Sequence, residues 1–162
     1  MINKHCYKIL ISACLLGERV RYDAKQKSLQ HPLIDYWKEA GILYPVCPEV
    51  LGGLPTPRPA AEIQTNGRVL TGQEEDVTKA FKQGAEKTLA LALKHRINIV
   101  ILTERSPSCG SSNIYDGNFS RTIIDGQGIT TKLLRKHGIQ VFNQFQLQEV
   151  QAQISFSIKP PE

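Results

Sequence analysis

The sequence predicts an α/β layer fold built on a mostly parallel sheet. Three observations carry that prediction. Apolar runs of strand length alternate with stretches of helical periodicity along most of the chain. One run, "INIVIL" (97–102), is rich in β-branched residues, the pattern of a buried parallel strand. The 162 residues fit one domain with a core of ordinary size, and neither an internal repeat nor a second domain boundary is visible. Crossovers in such a sheet are right-handed, and ligands bind beyond the carboxyl ends of its strands.

Each element has its own signal. "YKILISA" (7–13) is a first strand that stops at Cys14, and "LLGERVRYDAKQKS" (15–28) is a charged loop. "HPLIDYWKEAG" (31–41) places Leu33, Ile34 and Trp37 at helical spacing and ends on Gly41, a helix stop. "ILYPV" (42–46) is a second strand running into Cys47; Pro45 predicts that it is irregular or ends early. Residues 48–60 hold four of the nine prolines and form a stiff loop. "AEIQTNGRVLT" (61–71) reads as a hairpin, with Asn66-Gly67 predicting a type I′ turn.

Residues 74–96 are the clearest helix, with Val77, Ala80, Phe81, Ala85, Leu89 and Ala92 on one face. Acidic residues lead it and "KHR" closes it, which suits the helix dipole. "INIVIL" is the third strand, and "SNIYDGNFSR" (112–121) a second hairpin around Asp116-Gly117. "ITTKLLRKHG" (129–138) is a helix stopped by Gly138, and "IQVFN" (139–143) a last strand. The Gln-rich stretch from residue 144 onward has no clear assignment.

Composition bounds the class. The chain is 41% hydrophobic and 22% charged, as soluble globular domains are. No apolar run is long enough to span a bilayer, so no membrane partner is expected. The start "MINKHCYKILISACLLGERV" does not read as a signal peptide, which predicts a cytoplasmic protein. The net charge of +5 would favour an anionic partner, but it is not gathered into one run. A slightly basic, solvated surface explains it better than a nucleic-acid interface, since no basic stripe or paired stacking aromatics are present.

Four cysteines stand at positions 6, 14, 47 and 109. In a reducing compartment, metal binding or catalysis explains non-core cysteines better than disulfides. Cys6 reads as a small hydrophobe. Cys14 follows the first strand, Cys47 the second, and Cys109 lies a short turn past the third. All three therefore belong to one sheet edge, where such folds build their sites. Zinc sites prefer four ligands in compact paired spacings, and no C-x-x-C pair exists. Iron–sulfur clusters usually take four cysteines, so three would leave one iron open. Spacing alone supports a shared metal or cluster site.

Four segments then resemble one family: "SACLLGERVRYDA" (12–24), "CPEVLGGLPTPRPAAEI" (47–63), "SPSCGSSNIYDGNFS" (106–120) and "GQGITTKLLRKHGIQVF" (126–142). The chain resembles the DUF523 family, whose characterised members include bacterial thiouracil desulfidases. The resemblance implies a single-domain Rossmann-like, three-layer fold over residues 1–145, with residues 146–162 an unassigned tail. It implies a [4Fe-4S] cluster held by Cys14, Cys47 and Cys109, whose fourth iron takes the sulfur of the substrate. It implies Glu49 and Ser106 as the catalytic pair. Longer relatives carry an added domain and are linked to tRNA thiouridine; its absence favours a thiolated free base or small nucleoside, with sulfide released or passed to an acceptor.

The expected chemistry is conversion of C=S to C=O. Open iron would polarise the thiocarbonyl. Glu49, two residues after Cys47, would act as general base, a role favoured by apolar walls around the carboxylate. Ser106 would orient substrate or water; a plain capping hydroxyl is its structural alternative. Ser108, Ser111, Arg21 and Arg58 are weaker candidates for substrate contacts. Gly52, Gly53 and Gly110 would let the backbone approach the cluster, while Pro48 and Pro107 stiffen the cysteine loops. The competing reading is a non-catalytic protein whose three thiols hold zinc or sense oxidants.

Overall fold

The computed structural model describes residues 7–26 and 28–156; Cys6 lies outside them. Four parallel strands form the central sheet: β1 (Ile9–Ser12), β2 (Leu43–Val46), β5 (Ile99–Ile101) and β8 (Gln140–Phe142), in the order β2-β1-β5-β8. The helices are α1 (Pro32–Glu39), α2 (Pro48–Leu51), α3 (Thr78–Lys94), α4 (Ile129–Lys136) and α5 (Leu147–Phe156). Two antiparallel hairpins stand outside the sheet: β3 (Ala61–Ile63) with β4 (Val69–Thr71), and β6 (Asn113–Tyr115) with β7 (Ile123–Asp125).

Alternation along the strands divides the core in two. Ile9, Ile11, Ile99 and Ile101 face one way and pack with Ile34 and Trp37 of α1 and with Leu147, Val150 and Ile154 of α5. Leu10, Val100 and Val141 face the other way and pack with Ala92 of α3 and Leu134 of α4. The result is the expected three-layer α/β fold. The stretch after residue 144 supplies α5, and Gln151 accepts a hydrogen bond from the buried Trp37 indole at 3.0 Å. Among the described residues, no helix is long and apolar enough to cross a membrane.

Three local expectations change. Pro45 sits in a regular strand paired with Ile11, because β2 is the edge of the sheet and needs no ladder bond on its outer side. The first hairpin closes not with a two-residue type I′ turn but with a three-residue loop. Gln64 donates to the Arg68 carbonyl, and Gly67 alone takes the left-handed conformation (φ +83°). The second hairpin has a longer loop than Asp116-Gly117: the Asp116 N–H bonds to the carbonyl of Thr122. The Glu62 carboxylate sets its path by accepting from the N–H groups of Gly117 at 3.0 Å and Phe119 at 3.3 Å.

One contact fixes α2, which carries the residues after Cys47. Gly84 of α3 lies against the Pro48 carbonyl, and Gly52 lies against the Ala80 carbonyl. A Cβ at either glycine would collide with that backbone. Gly52 thus serves helix packing, not the close approach to a cluster expected of it. In an ordinary helix interior, alanine for glycine gains about 1 kcal/mol. Here Gly84→Ala is expected to destabilise by about 1–3 kcal/mol, because overpacking outweighs propensity. A thermal melt equal to or above that of the parent protein would contradict this contact.

Candidate functional site

The strand order explains how distant cysteines meet. β1 lies between β2 and β5, so the carboxyl ends of these three parallel strands are neighbours. Cys14 sits in the 3-10 turn Ala13–Leu16 after β1, and Cys47 caps the start of α2 after β2. Cys109 sits in the turn that follows β5. The ends of β1 and β5 are tied together where Ser12 Oγ accepts from the Thr103 N–H at 2.9 Å. All three thiols are free; Cys109 is buried, and Cys14 and Cys47 are half-buried.

Burial raises all three thiols, and Cys14 and Cys109 also feel their neighbours. Burial, then the neighbouring Cys47, pushes Cys14 up to about 11. Burial pushes Cys47 up, with Glu49 adding to it, while the N–H groups of Val50 and Glu49 and the Arg58 guanidinium pull the other way. Burial, then Glu49, Cys14 and Cys47, pushes Cys109 strongly upward. Glu49 raises all three thiols, and its carboxylate also meets the Ser106 hydroxyl of the Cys109 turn.

Glu49 is not walled by apolar groups as expected. Its Oε2 accepts from Nε of Arg58 at 2.8 Å, and its Oε1 accepts from the Ser106 hydroxyl at 3.4 Å. The ion pair is largely sequestered, with 5% of the Arg58 side chain and 14% of the Glu49 side chain exposed. Arg58 also donates to the carbonyls of Val20 and Pro55 and to the Thr56 hydroxyl. Every N–H of its guanidinium is engaged by protein, which removes it as a substrate contact and makes it the clamp on Glu49. Ser106 holds two places at once: besides reaching Glu49, its oxygen accepts from the N–H groups of Ser108 at 3.1 Å and Cys109 at 3.2 Å.

The weaker candidates separate. Arg21 is partly exposed and makes a loose 3.4 Å pair with Asp23. Ser108 is fully buried against Thr130, with its hydroxyl 2.8 Å from that of the threonine. Ser111 is buried too, donating to Glu104 at 2.8 Å. Neither serine is open to a substrate; both hold the Cys109 turn. Gly110 packs against the Asn113 and Ser106 carbonyls of that same turn. The turn's outer carbonyls are taken up by the first N–H groups of α4, where Ile129 donates to Pro107 and Thr130 to Ser108, both at 2.9 Å.

The sequence reading missed Glu104. This carboxylate is 9% exposed and accepts from Ser111, Ser112, Asn113 and Asn143. Burial works upward on its carboxyl, but the N–H groups of Asn113 and Ser112 and the hydroxyls of Ser111 and Ser112 outweigh it and hold the group at about 2. A lone acidic residue immediately before the cysteine-bearing motif, just past a buried strand, was the available signal.

A single zinc ion holds thiolates at about 2.3 Å. Among the described residues, no three His, Cys, Asp or Glu side chains are grouped so as to hold one ion. A cluster gives each thiolate its own iron, so more widely spaced sulfurs suit it. Three free thiols at neighbouring strand ends fit that demand.

The family described as 2-thiouracil desulfurase matches residues 9–146. The uncharacterized protein YbbK of Bacillus subtilis (strain 168) is 40% identical, with 88% of this chain and 99% of that protein covered. The solved structure of a [4Fe-4S]-dependent thiouracil desulfidase, TudS (DUF523Vcz), aligns with a TM-score of 0.90 at 48% identity, covering 93% of this chain and 99% of that one. A family match over most of the chain, with two relatives covered almost end to end, makes this chain a member of the 2-thiouracil desulfurase family.

Proposed function

We propose that this protein is a cytoplasmic [4Fe-4S]-dependent desulfidase that converts the C=S of a thiolated pyrimidine, as free base or small nucleoside, to C=O. The overall change consumes one water: its oxygen bonds to carbon, the carbon–sulfur bond breaks, and sulfur leaves as hydrogen sulfide. Cys14, Cys47 and Cys109 would hold the cluster. The observation that carries this reading is the placement of three free thiols and one carboxylate at the ends of three adjacent parallel strands.

When bound, the cluster supplies a Lewis-acidic iron without a protein ligand, to which a thiocarbonyl sulfur can bind. The rest belongs to the chain. The thiols must lose their protons to become ligands, and burial opposes this, with neighbouring charge adding to it at Cys14 and Cys109. Glu49 would accept the proton of the attacking water at Oε1, the oxygen that Arg58 does not occupy. Arg58 keeps that carboxylate aimed while spending none of its own donors on substrate. Ser106 would orient the water or the pyrimidine through its hydroxyl while its oxygen secures the turn around Cys109.

The test is anaerobic reconstitution with iron and sulfide, followed by a screen of thiolated pyrimidines for hydrogen sulfide and the oxo product. Iron with acid-labile sulfide, together with stoichiometric sulfide release from thiouracil, is the expected result. A fully loaded protein that releases no sulfide from any thiolated pyrimidine would overturn the assignment. Sulfide appearing only when an acceptor is added would replace hydrolysis with transfer.

A further inference from the structure

We propose that Glu104 is the positioning residue for Cys109: its carboxylate fixes the turn that presents the third thiol. The inference rests on the reading of Cys109 as a cluster ligand. Glu104 Oε1 accepts from three successive backbone N–H groups, those of Ser111 at 2.8 Å, Ser112 at 3.1 Å and Asn113 at 3.0 Å. Oε2 accepts from the hydroxyls of Ser111 at 2.8 Å and Ser112 at 3.0 Å, and from the Asn143 amide at 2.7 Å.

These bonds close a ring. The Arg105 N–H meets the Asn113 carbonyl at 3.1 Å, and the Gly110 N–H meets the Ser106 carbonyl at 2.9 Å. Cys109 lies inside the segment so enclosed. On one side the ring is anchored to the buried strand β5, and on the other, through Asn143, to the end of β8. No strand ladder runs through residues 106–111; the Ser106 hydroxyl and the first N–H groups of α4 hold its first half, and the Glu104 carboxylate holds the residues that close it. Without it, three backbone N–H groups would lose their acceptor, and the turn would lose the bonds that select its shape.

The two oxygens separate geometry from charge. Glutamine keeps an acceptor for the three N–H groups and turns its two amide hydrogens toward the Ser111 and Ser112 hydroxyls, which can rotate to accept, while Asn143 keeps its bonds to Ser111 and Phe145. Aspartate keeps the charge but stops one methylene short. A positioning role therefore tolerates Glu104→Gln and not Glu104→Asp; a purely electrostatic role predicts the reverse.

The experiment is peptide-resolved alkylation of the metal-free, full-length chain with iodoacetamide, beside a thermal melt and the iron content after reconstitution. Glu104→Asp is expected to speed labelling of Cys109 about tenfold, with Cys14 and Cys47 within about twofold of the parent protein, and to lower the iron retained. Glu104→Gln is expected to keep Cys109 within about twofold of the parent rate. Unchanged protection of Cys109 in Glu104→Asp, or equal exposure in Glu104→Gln, would overturn the proposal. So would parallel labelling of all three thiols, which marks general unfolding. If instead the cluster reading fails, the parent protein itself takes up no iron, while Cys109 labelling still reports on Glu104.

Discussion

Replacing any one of Cys14, Cys47 and Cys109 by alanine is expected to leave a folded protein without a stable iron centre. The substitutions differ in what they cost the fold. Cys109 is 4% exposed and packs with Leu10, Val46, Leu102 and Val141. Losing its sulfur there costs on the order of 1 kcal/mol, the scale of one buried methyl-sized group. Cys14 and Cys47 are half-buried, and their loss costs less. Iron binding should ignore that difference, because each thiolate would serve one iron and two thiolates cannot replace three. Iron and acid-labile sulfide per chain, measured beside the melting temperature, separate the two effects. A single-cysteine variant with the parent's iron content removes that residue from the ligand set. Iron loss that tracks stability and not ligand identity would point to misfolding.

The site was legible in the sequence to different depths. Cysteines at three strand ends could be read because strand, turn and thiol are adjacent in the chain. That β1 lies between β2 and β5, bringing the thiols together, is a matter of strand order, which no local pattern encodes. Pro45 carried the edge-strand signal; an edge accommodates proline without distorting the strand. Asn66-Gly67 and Asp116-Gly117 marked hairpins correctly, but tertiary bonds chose the loops: Glu62 reaches across more than fifty positions to the N–H of Gly117. The part Arg58 plays, and Glu104 altogether, were hidden for the same reason. Arg58 meets Val20 at a separation of 38 residues, and Glu104 meets Asn143 at 39. In α5, Leu147, Val150 and Ile154 do carry a helical spacing, diluted by the surrounding glutamines.

Glu49→Gln is expected to retain iron and lose turnover by about 10²–10⁴-fold, the usual worth of a positioned general base. The amide keeps an oxygen and nearly the same shape, so the Ser106 contact can survive. It has no charge to set against Arg58, whose side chain is only 5% exposed. A buried cation left unpaired is costly, typically about 3–5 kcal/mol. Lost stability could then pass for lost catalysis. A second variant resolves this: Arg58→Met in the Glu49→Gln background removes the stranded charge. If Glu49 is the base, the double variant regains melting temperature and keeps its iron but does not regain turnover. Ser106→Ala cannot serve as the control, because that hydroxyl also accepts from the N–H groups of Ser108 and Cys109, so its loss would disturb the ligand turn and the carboxylate together. Single-turnover sulfide release from reconstituted protein, normalised to iron, is the measurement. Parent-like release from Glu49→Gln would exclude Glu49 as the base. Recovery of turnover in the double variant would show that Glu49 matters only as the partner of Arg58.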